Sequence, residues 1–386
     1  MKKTIIALAT AAVFATSANA ATVYEKDGAK VEVGGAVRVL LSKEKDKRAD
    51  LINDESRLEI KASQDLGNGL GALGGLEIRF EDTDSSNSFG SPTTHQLYAG
   101  FDYEGIGTLT FGKQTTNGDD IEINENTYTW GGNNNLTADA EKSIKFRSAE
   151  WSGFSFGLDY LFGNAIKKDG PDLTNRYAIE HLALLPQEYK YGYQASVFYT
   201  RELIKDLSFN LAAGYGVDTY DSESTKKTSE LKSWRVASQL AYGPVTFGAE
   251  YGQSINKARD IKAATGKYLL VSSSFQIAEP SKVYVQWINT RSKVHLGQPI
   301  EDLSVPGYGL WIHPNAKAEE NTYLVGVDYK LHKNVVTYLE YAHSVIKNES
   351  KFQWYETSSR ELVDPVYSSK ITVRDNKVGV GLRVFF

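Results

Sequence analysis

The last ten residues of the chain alternate between apolar and polar side chains. Successive side chains of a β-strand point to opposite faces, so this spacing predicts a strand with one apolar and one polar face. The chain ends on an aromatic residue, which leaves two interpretations open: the last strand of a soluble sheet, or the last strand of a closed barrel that pairs with the first. The apolar positions are Val378, Val380, Leu382, Val384 and Phe386, and the polar or small ones are Lys377, Gly379, Gly381 and Arg383, with Phe385 as the departure.

The same alternation recurs at fifteen earlier places, which together with the terminal segment predict sixteen strands. Segment 176–184 alternates poorly, and we assign it to a loop, because a barrel with both ends on one rim needs an even number of strands. The predicted strands cover residues 31–39, 57–63, 76–81, 96–103, 108–114, 143–149, 154–162, 191–200, 207–217, 234–242, 245–251, 268–276, 283–290, 323–331, 335–342 and 377–386.

Connections between these segments alternate between short turns and long polar stretches. Short turns on one rim and long loops on the other are the layout of an outer-membrane barrel. We therefore predict an all-β fold, a transmembrane antiparallel barrel of sixteen strands. The alternative is a soluble β-sandwich or propeller. The apolar face of its strands would be buried and mainly aliphatic, whereas the apolar face of the strands predicted here is rich in aromatic residues. The short turns are 104–107, 242–244 and 331–334, and the long connections are 43–55, 115–142, 218–232, 292–321 and 344–376.

The N-terminus predicts export. A basic start at residues 1–3 precedes an apolar stretch at 5–15 and a small-residue box at 18–20. This is the pattern of a cleaved signal peptide, and the apolar stretch is too short for a membrane helix. A buried N-terminal helix is the alternative. We predict a signal peptide over residues 1–20 and one barrel domain over residues 21–386.

Composition excludes several classes of function. The chain has no cysteine, which excludes thiolate metal sites and cysteine nucleophiles, and its formal net charge of −5 disfavours nucleic acid as a partner. The six histidines lack metal-ligand spacing. Acids at 119–122 could bind calcium, but they lack the spacing and glycine of an EF-hand. We therefore expect no metal and no cofactor.

Four stretches carry a family resemblance: ATVYEKDGAKVEV (21–33), ESRLEIKAS (55–63), LYAGFDYEGIGTLTFG (97–112) and the terminal Phe386. Taken together and in order, they resemble the general porins of Gram-negative bacteria, most closely the major porins of the Pasteurellaceae. The resemblance implies a sixteen-stranded barrel in outer-membrane lipid, usually a homotrimer, with a third loop that folds inward and narrows the channel. It also implies that the C-terminal aromatic residue, here Phe386, directs assembly by the barrel-assembly machinery.

A barrel of this width cannot be filled by side chains, so it holds water. The diameter of its narrowest point and the charges that line it set selectivity. Alternation places five basic residues on the lumen face: Arg38, Arg57, Lys61, Lys145 and Arg147. The resemblance matches Arg57 to a wall arginine that faces the inserted loop, and Arg147 to a second wall position.

The inserted loop is predicted at 115–142. It carries the acids Asp119, Asp120, Glu122 and Glu125, and Trp130-Gly131-Gly132 stands where the family has an aromatic residue and two glycines. Acids on the loop opposite bases on the wall would create a transverse field across the constriction. A solvated surface loop is the alternative. Relatives often carry a basic residue where this chain has Gln96, preceded by His95, so the preference between anions and cations stays open.

The expected function is passive diffusion of ions and small hydrophilic solutes, without enzymatic activity. Two alternatives remain. One is an outer-membrane hydrolase barrel, although no nucleophile motif supports it. The other is an adhesive surface protein, for which the connection 344–376 would suit binding.

Overall fold

The computed structural model describes residues 20–81, 89–163, 188–222, 227–258, 261–300, 308–356, 358–359 and 361–386. Segment 176–184 and nearly all of the predicted signal peptide lie outside these ranges. Among the described residues, no helix has the length and apolar character needed to cross a membrane.

Twenty strands form one sheet, with a single turn of 3₁₀ helix at Asp119–Ile121. The strands are β1 (Ala21–Lys26), β2 (Ala29–Glu44), β3 (Ala49–Asn53), β4 (Ser56–Gly67), β5 (Leu70–Glu81), β6 (Ser91–Tyr103), β7 (Gly107–Thr115), β8 (Asp139–Ser148), β9 (Phe154–Phe162), β10 (Glu188–Ile204), β11 (Leu207–Ser222), β12 (Lys227–Tyr242), β13 (Val245–Ala258), β14 (Ile261–Ala278), β15 (Ser281–Val294), β16 (Gln298–Ile300), β17 (Tyr308–Ile312), β18 (Lys317–His332), β19 (Val335–Glu356) and β20 (Leu362–Phe385).

Sixteen of these strands close into an antiparallel ring. Neighbours in sequence pair throughout, and β2 completes the ring by pairing with β4 on one edge and β20 on the other. In this closing pair, Val37 lies opposite Val384 and Val39 opposite Leu382. The short strands β1, β3, β16 and β17 extend the ladder at the rims. The predicted sixteen-stranded barrel is therefore confirmed.

The apolar face of the ring points outward and the polar face inward. On β13, the outward Phe247 is 52% exposed, whereas the inward Glu250 is 1% exposed. The same holds on the closing strand, where Val380 and its alternate neighbours are exposed. A soluble sandwich would bury these apolar side chains, so an apolar outer band around a polar interior identifies hydrocarbon as its surroundings.

Two predicted long loops were wrong. The stretch 218–232 is mostly ladder, because β11 runs to Ser222 and β12 begins at Lys227. The stretch 344–376 is also mostly ladder, because β19 runs to Glu356 and β20 begins at Leu362. Outside hydrocarbon neither face of a strand needs to be apolar, so these extensions lose the period-two signal that revealed the membrane-spanning parts.

Candidate functional site

Residues 116–138, which connect β7 to β8, fold into the barrel and lie against its inner wall. We call this segment the inserted loop. The amide of Asn117 donates to the Asp159 carboxylate on β9 at 3.1 Å. The backbone N–H of Asn124 donates to Glu250 on β13 at 2.7 Å. The predicted inward course of this loop is confirmed, and the loop covers the wall from β9 to β20.

Apolar packing holds both legs of the inserted loop to the wall. Ile121 on the outgoing leg and Leu136 on the returning leg form one buried cluster with Ala212 and Ala237 of the wall. The loop can approach the wall this closely only because residue 248 of the wall is a glycine. A Cβ at position 248 would overlap the side chain of Asn124. The aromatic residue of the loop, Trp130, packs against a second lumen-side cluster formed by Leu270, Ile288, Leu324 and Ala342.

Arg235 on β12 joins the two legs of the loop. Its side chain is fully buried and donates to the Asn133 backbone oxygen at 2.9 Å and side-chain oxygen at 2.7 Å. The guanidinium also pairs with Glu250 at 2.5 Å and with Glu122 at 3.3 Å. Glu122, predicted as a constriction acid, is therefore held by a wall arginine.

The tip of the inserted loop is fixed to the last strands. Glu340 on β19 accepts hydrogen bonds from the backbone N–H groups of Tyr128 at 2.5 Å and Thr129 at 3.2 Å. The rings of Tyr128 and Tyr338 stack with centroids 4.3 Å apart. Arg383 on β20 donates to the Tyr128 carbonyl and pairs with Asp54 at 2.7 Å. The loop is thus anchored at its tip as well as along its legs.

The wall bases next to the loop tip are largely neutralised by wall acids. Arg57 pairs with Glu55 at 3.0 Å and with Glu77 at 3.2 Å. Arg79 pairs with the same two acids, at 3.3 and 2.6 Å. The sequence prediction left out Arg79, although the alternation along 76–81 places it on the lumen face.

Lys61, another predicted wall base, points inward but is only 5% exposed. It pairs with Glu59 at 2.9 Å, so little of its charge faces water. The side chains at positions 95 and 96, where this chain differs from the basic residue that relatives often carry, also lie next to acids. Gln96 donates to Glu77 at 2.9 Å, and His95 lies 3.5 Å from Asp139.

Two further predicted wall bases, Lys145 and Arg147, contact the start of the inserted loop or the residue before it. Lys145 donates to the Thr115 carbonyl at 3.0 Å. Arg147 pairs with Asp120 at 3.0 Å and lies over the Phe198 ring, 3.5 Å from its centroid. Asp120, Lys145 and Arg147 line a cavity of about 480 Å³. The ion pair between Asp120 and Arg147 is therefore a direct contact between the inserted loop and the wall.

Arg38 and Glu125 differ from the other predicted charges. Both line a cavity of about 360 Å³ at the loop tip. Within the described ranges neither has an ion-pair partner; Arg38 Nε is buried without an acceptor, and Glu125 accepts only from the Thr127 hydroxyl at 3.2 Å. Asp54, Glu55 and Arg383 line the same cavity, but Asp54 is paired with Arg383, and Glu55 with Arg57 and Arg79, so no direct ion pair balances Arg38 or an ionised Glu125.

Two of the three exposed acids of the inserted loop, Asp119 and Glu125, have raised pKa values. The surrounding protein limits hydration of the Glu125 carboxyl, and with the nearby acid Glu122 this raises its pKa to about 8. Restricted hydration, followed by the charges of Asp139 and Asp120, raises the pKa of Asp119 to about 7. In the described part of the chain, no group of three or more His, Asp or Glu side chains converges in a way that could hold a metal ion.

A closed ring with an apolar outer band, a polar lumen and an inserted loop defines a transmembrane β-barrel channel. The sequence model of the family described as Gram-negative porin matches residues 7–349. The chain is also 36% identical over 405 residues to the major outer membrane protein of Pasteurella multocida, with 100% of both chains covered. The chain therefore belongs to the Gram-negative porin family and is an outer-membrane protein.

Solved structures share this fold at low identity. The chain resembles the trimer form of in-vitro folded OmpT, an outer membrane protein of Vibrio cholerae, with a TM-score of 0.63 and 18% identity over 93% of this chain and 100% of that one. It also resembles the anion-selective porin from Comamonas acidovorans, with a TM-score of 0.61 and 16% identity over 93% and 100% of the two chains. At such identities the likeness concerns the fold alone.

Proposed function

We propose that the protein is a passive diffusion channel for ions and small hydrophilic solutes. The observation that carries this proposal is the polar lumen, in which the anchored loop brings the Glu125 carboxyl to a cavity that it shares with Arg38. Diffusion through such a lumen needs no cofactor and no bond chemistry, so we assign the barrel no catalytic role. Membership of the porin family supports the same function.

Reconstitution in a planar bilayer tests the channel function. We expect stepwise, ohmic conductance increments from purified protein, and none from a heat-denatured sample of the same preparation. Steps grouped in threes would support a homotrimer, which the trimer form of the OmpT neighbour makes a reasonable expectation. Silence of the folded protein would contradict the proposal, and lipase or protease activity in that preparation would favour the hydrolase alternative.

We propose that Arg38 and Glu125 set the ion preference of the channel. Arg57, Arg79 and Lys61 are each balanced by an adjacent acid, so their fields largely cancel at a distance. Glu122 and Asp120 are likewise held by wall arginines. The net field at the loop tip is then left mainly to Arg38 and Glu125.

Charge removal at these two residues is expected to shift the reversal potential in a salt gradient in opposite directions. Arg38→Gln removes a cation that has no ion-pair partner and should increase cation preference, whereas Glu125→Gln, measured at pH 9 where a carboxyl with a pKa of about 8 is ionised, should move the channel toward anions. Arg201→Gln, an exposed outward position, is the matched control and should leave the potential unchanged. Equal potentials in all four proteins would place the selectivity site elsewhere.

The ion preference is also expected to depend on pH. As pH falls from about 9 to about 6, Glu125 and then Asp119 take up protons, so the lumen loses negative charge and cation preference should decrease. The double variant Asp119→Asn, Glu125→Gln should show little of this response, and should differ from wild type more at pH 9 than at pH 6. Reversal potentials measured across this range provide the test. A full pH response in the double variant would assign the titration to other groups.

Export and assembly complete the proposal. We infer that residues 1–20 are removed before the barrel assembles in the outer membrane, and N-terminal sequencing of the purified protein would test this. Cross-linking of the purified protein would test the homotrimer independently of conductance.

A further inference from the structure

One strand of the sheet, β20, has a stretch with a neighbouring strand on one side alone. β20 pairs with β19 from Leu362 to Val384, but it pairs with β2 only from Lys377 to Phe385. Among the described residues, no strand covers the second side of residues 368–374, which we call the free edge. This stretch lies beyond the apolar band, on the side opposite the C-terminus, which is the extracellular side in barrels of this class.

The parity of the ladder determines which backbone groups of the free edge are unpaired. Successive residues of a strand direct their N–H and C=O groups to opposite sides. The Asn376 carbonyl accepts from the Lys45 N–H at 2.9 Å, so the even-numbered residues of β20 face the β2 side. The Arg374 carbonyl accepts from Lys45 Nζ at 2.9 Å. Further along, the following residues direct N–H and C=O groups to a side where the described part of the chain offers no backbone partner: Ser368, Lys370 and Thr372.

A row of unpaired backbone groups of this kind is a template for one more strand. The free edge is about 23 Å long at about 3.3 Å per residue. It includes the β-branched residues Ile371, Thr372 and Val373, and Pro365 lies beyond it rather than within it. The backbone of an added strand could therefore pair along the whole stretch and would continue the ladder that β2 begins.

One face of the free edge is apolar and open. Ile371 is 54% exposed and Val373 is 45% exposed. Tyr367, the residue before the free edge, lies on the same face and stacks on Phe352 of β19 with ring centroids 5.4 Å apart. Side chains opposite each other on neighbouring strands share a face and contact one another. Every second side chain of an added strand would therefore cover this apolar row.

The other face of the free edge is basic. It carries Lys370 and Arg374 on β20, and Lys347 and Lys351 lie on the same face of β19, opposite Thr372 and Ser368. In the described part of the chain one acid, Glu349, compensates this row, at 3.5 Å from Lys370. Opposite charges across a ladder are favourable. The intervening side chains of an added strand should therefore be acidic.

We propose that the free edge of β20 binds an extended peptide in which acidic and apolar residues alternate, and adds it to the sheet as a further strand. Backbone hydrogen bonds to Ser368, Lys370 and Thr372 hold the peptide. Apolar side chains of the peptide cover Ile371 and Val373, while its carboxylates face the basic row. This binding goes beyond solute diffusion and uses no residue of the inserted loop.

The test uses detergent-folded full-length protein and a labelled nine-residue peptide of alternating glutamate and valine, with both ends blocked. Fluorescence anisotropy of the label measures binding. Thr372→Pro removes one N–H of the free edge, which an edge strand tolerates, and Thr372→Ala is the matched control that keeps this N–H. A third variant combines Lys370→Gln with Arg374→Gln. Unchanged heat-modifiable mobility and bilayer conductance show that each variant is folded.

Wild type and Thr372→Ala should bind the peptide equally and saturably, and Thr372→Pro should bind it about tenfold more weakly, because a hydrogen bond is lost and its acceptor is left unpaired. The variant that lacks Lys370 and Arg374 should also bind more weakly, and 0.5 M NaCl should weaken binding to wild type. A peptide of alternating lysine and valine should not bind.

Backbone methylation of the peptide separates strand addition from attraction between charges. Only alternate N–H groups of an added strand face the free edge, so methylation of one alternate set should abolish binding and methylation of the other should not. Equal effects of the two sets, equal binding to Thr372→Pro and Thr372→Ala, or no binding to wild type would overturn the proposal. Self-association of the protein without peptide, lost in Thr372→Pro, would overturn it in favour of a second copy of the chain. Conductance is measured separately, so failure here leaves the channel function untouched.

Discussion

Replacing Arg235 by methionine should release the inserted loop and widen the channel. The fully buried guanidinium holds Asn133 of the returning leg and Glu122 of the outgoing leg, and it balances Glu250. Breaking a buried ion pair by removing one partner costs roughly 3–5 kcal/mol, because the remaining charge stays buried and uncompensated. We therefore expect larger and noisier single-channel conductance, and faster liposome swelling with larger sugars.

Two further variants separate loop release from general damage. Arg291→Gln breaks a surface pair with Glu319, which is worth at most about 1 kcal/mol, and should leave the exclusion size unchanged. Combining Arg235→Met with Glu250→Leu removes both charges of this buried pair, together with the acceptor of the Asn124 N–H, so the barrel should fold well while the loop lacks its clamp. Wild-type exclusion size in this double variant would show that the clamp does not hold the loop.

Deleting Phe386 should lower the yield of assembled barrel severalfold. The terminal residue closes the ring: its carbonyl accepts from the Gly35 N–H at 2.9 Å, and its N–H donates to the Gly35 carbonyl at 3.1 Å. Its ring also lies against Gly35, where an added Cβ would overlap it. Unpaired backbone groups at a membrane-spanning seam are costly, because lipid offers no hydrogen-bonding partner.

The readout for this deletion is the heat-modifiable, folded fraction in the outer membrane. Phe386→Tyr is the matched control, since it keeps the backbone bonds and an aromatic ring and should assemble normally. Channels that do form from the deleted chain should have wild-type conductance, because no lumen residue has changed. A normal yield of folded barrel from the deleted chain would show that Phe386 is not needed for assembly.

Most of the barrel could be predicted from sequence, because membrane-spanning strands must expose one face to hydrocarbon. That constraint produced the alternation at all sixteen strands, and β9 was predicted with the bounds that the structure shows, Phe154–Phe162. Where the strands leave the hydrocarbon the constraint ends. The extensions of β11, β12, β19 and β20 were therefore taken for loops.

The sequence could predict which charged residues line the lumen, but not which acid pairs with which base. Alternation placed Arg57 and Arg147 on the lumen face, and composition drew attention to the acids of the inserted loop. Which acid meets which base depends on strand register and on the path of the loop. Sequence alone could not show that Glu122 meets Arg235, a residue on β12 more than a hundred positions away.

The course of the inserted loop also determines when the channel reaches its final width. Tyr128 and its acceptor Glu340 are separated by 212 positions, and Asn124 and Glu250 by 126. Contacts this distant along the chain require that the strands carrying their partners are already in place. The loop can therefore take its final place, and the channel its final width, only once β13 and β19 stand in the wall.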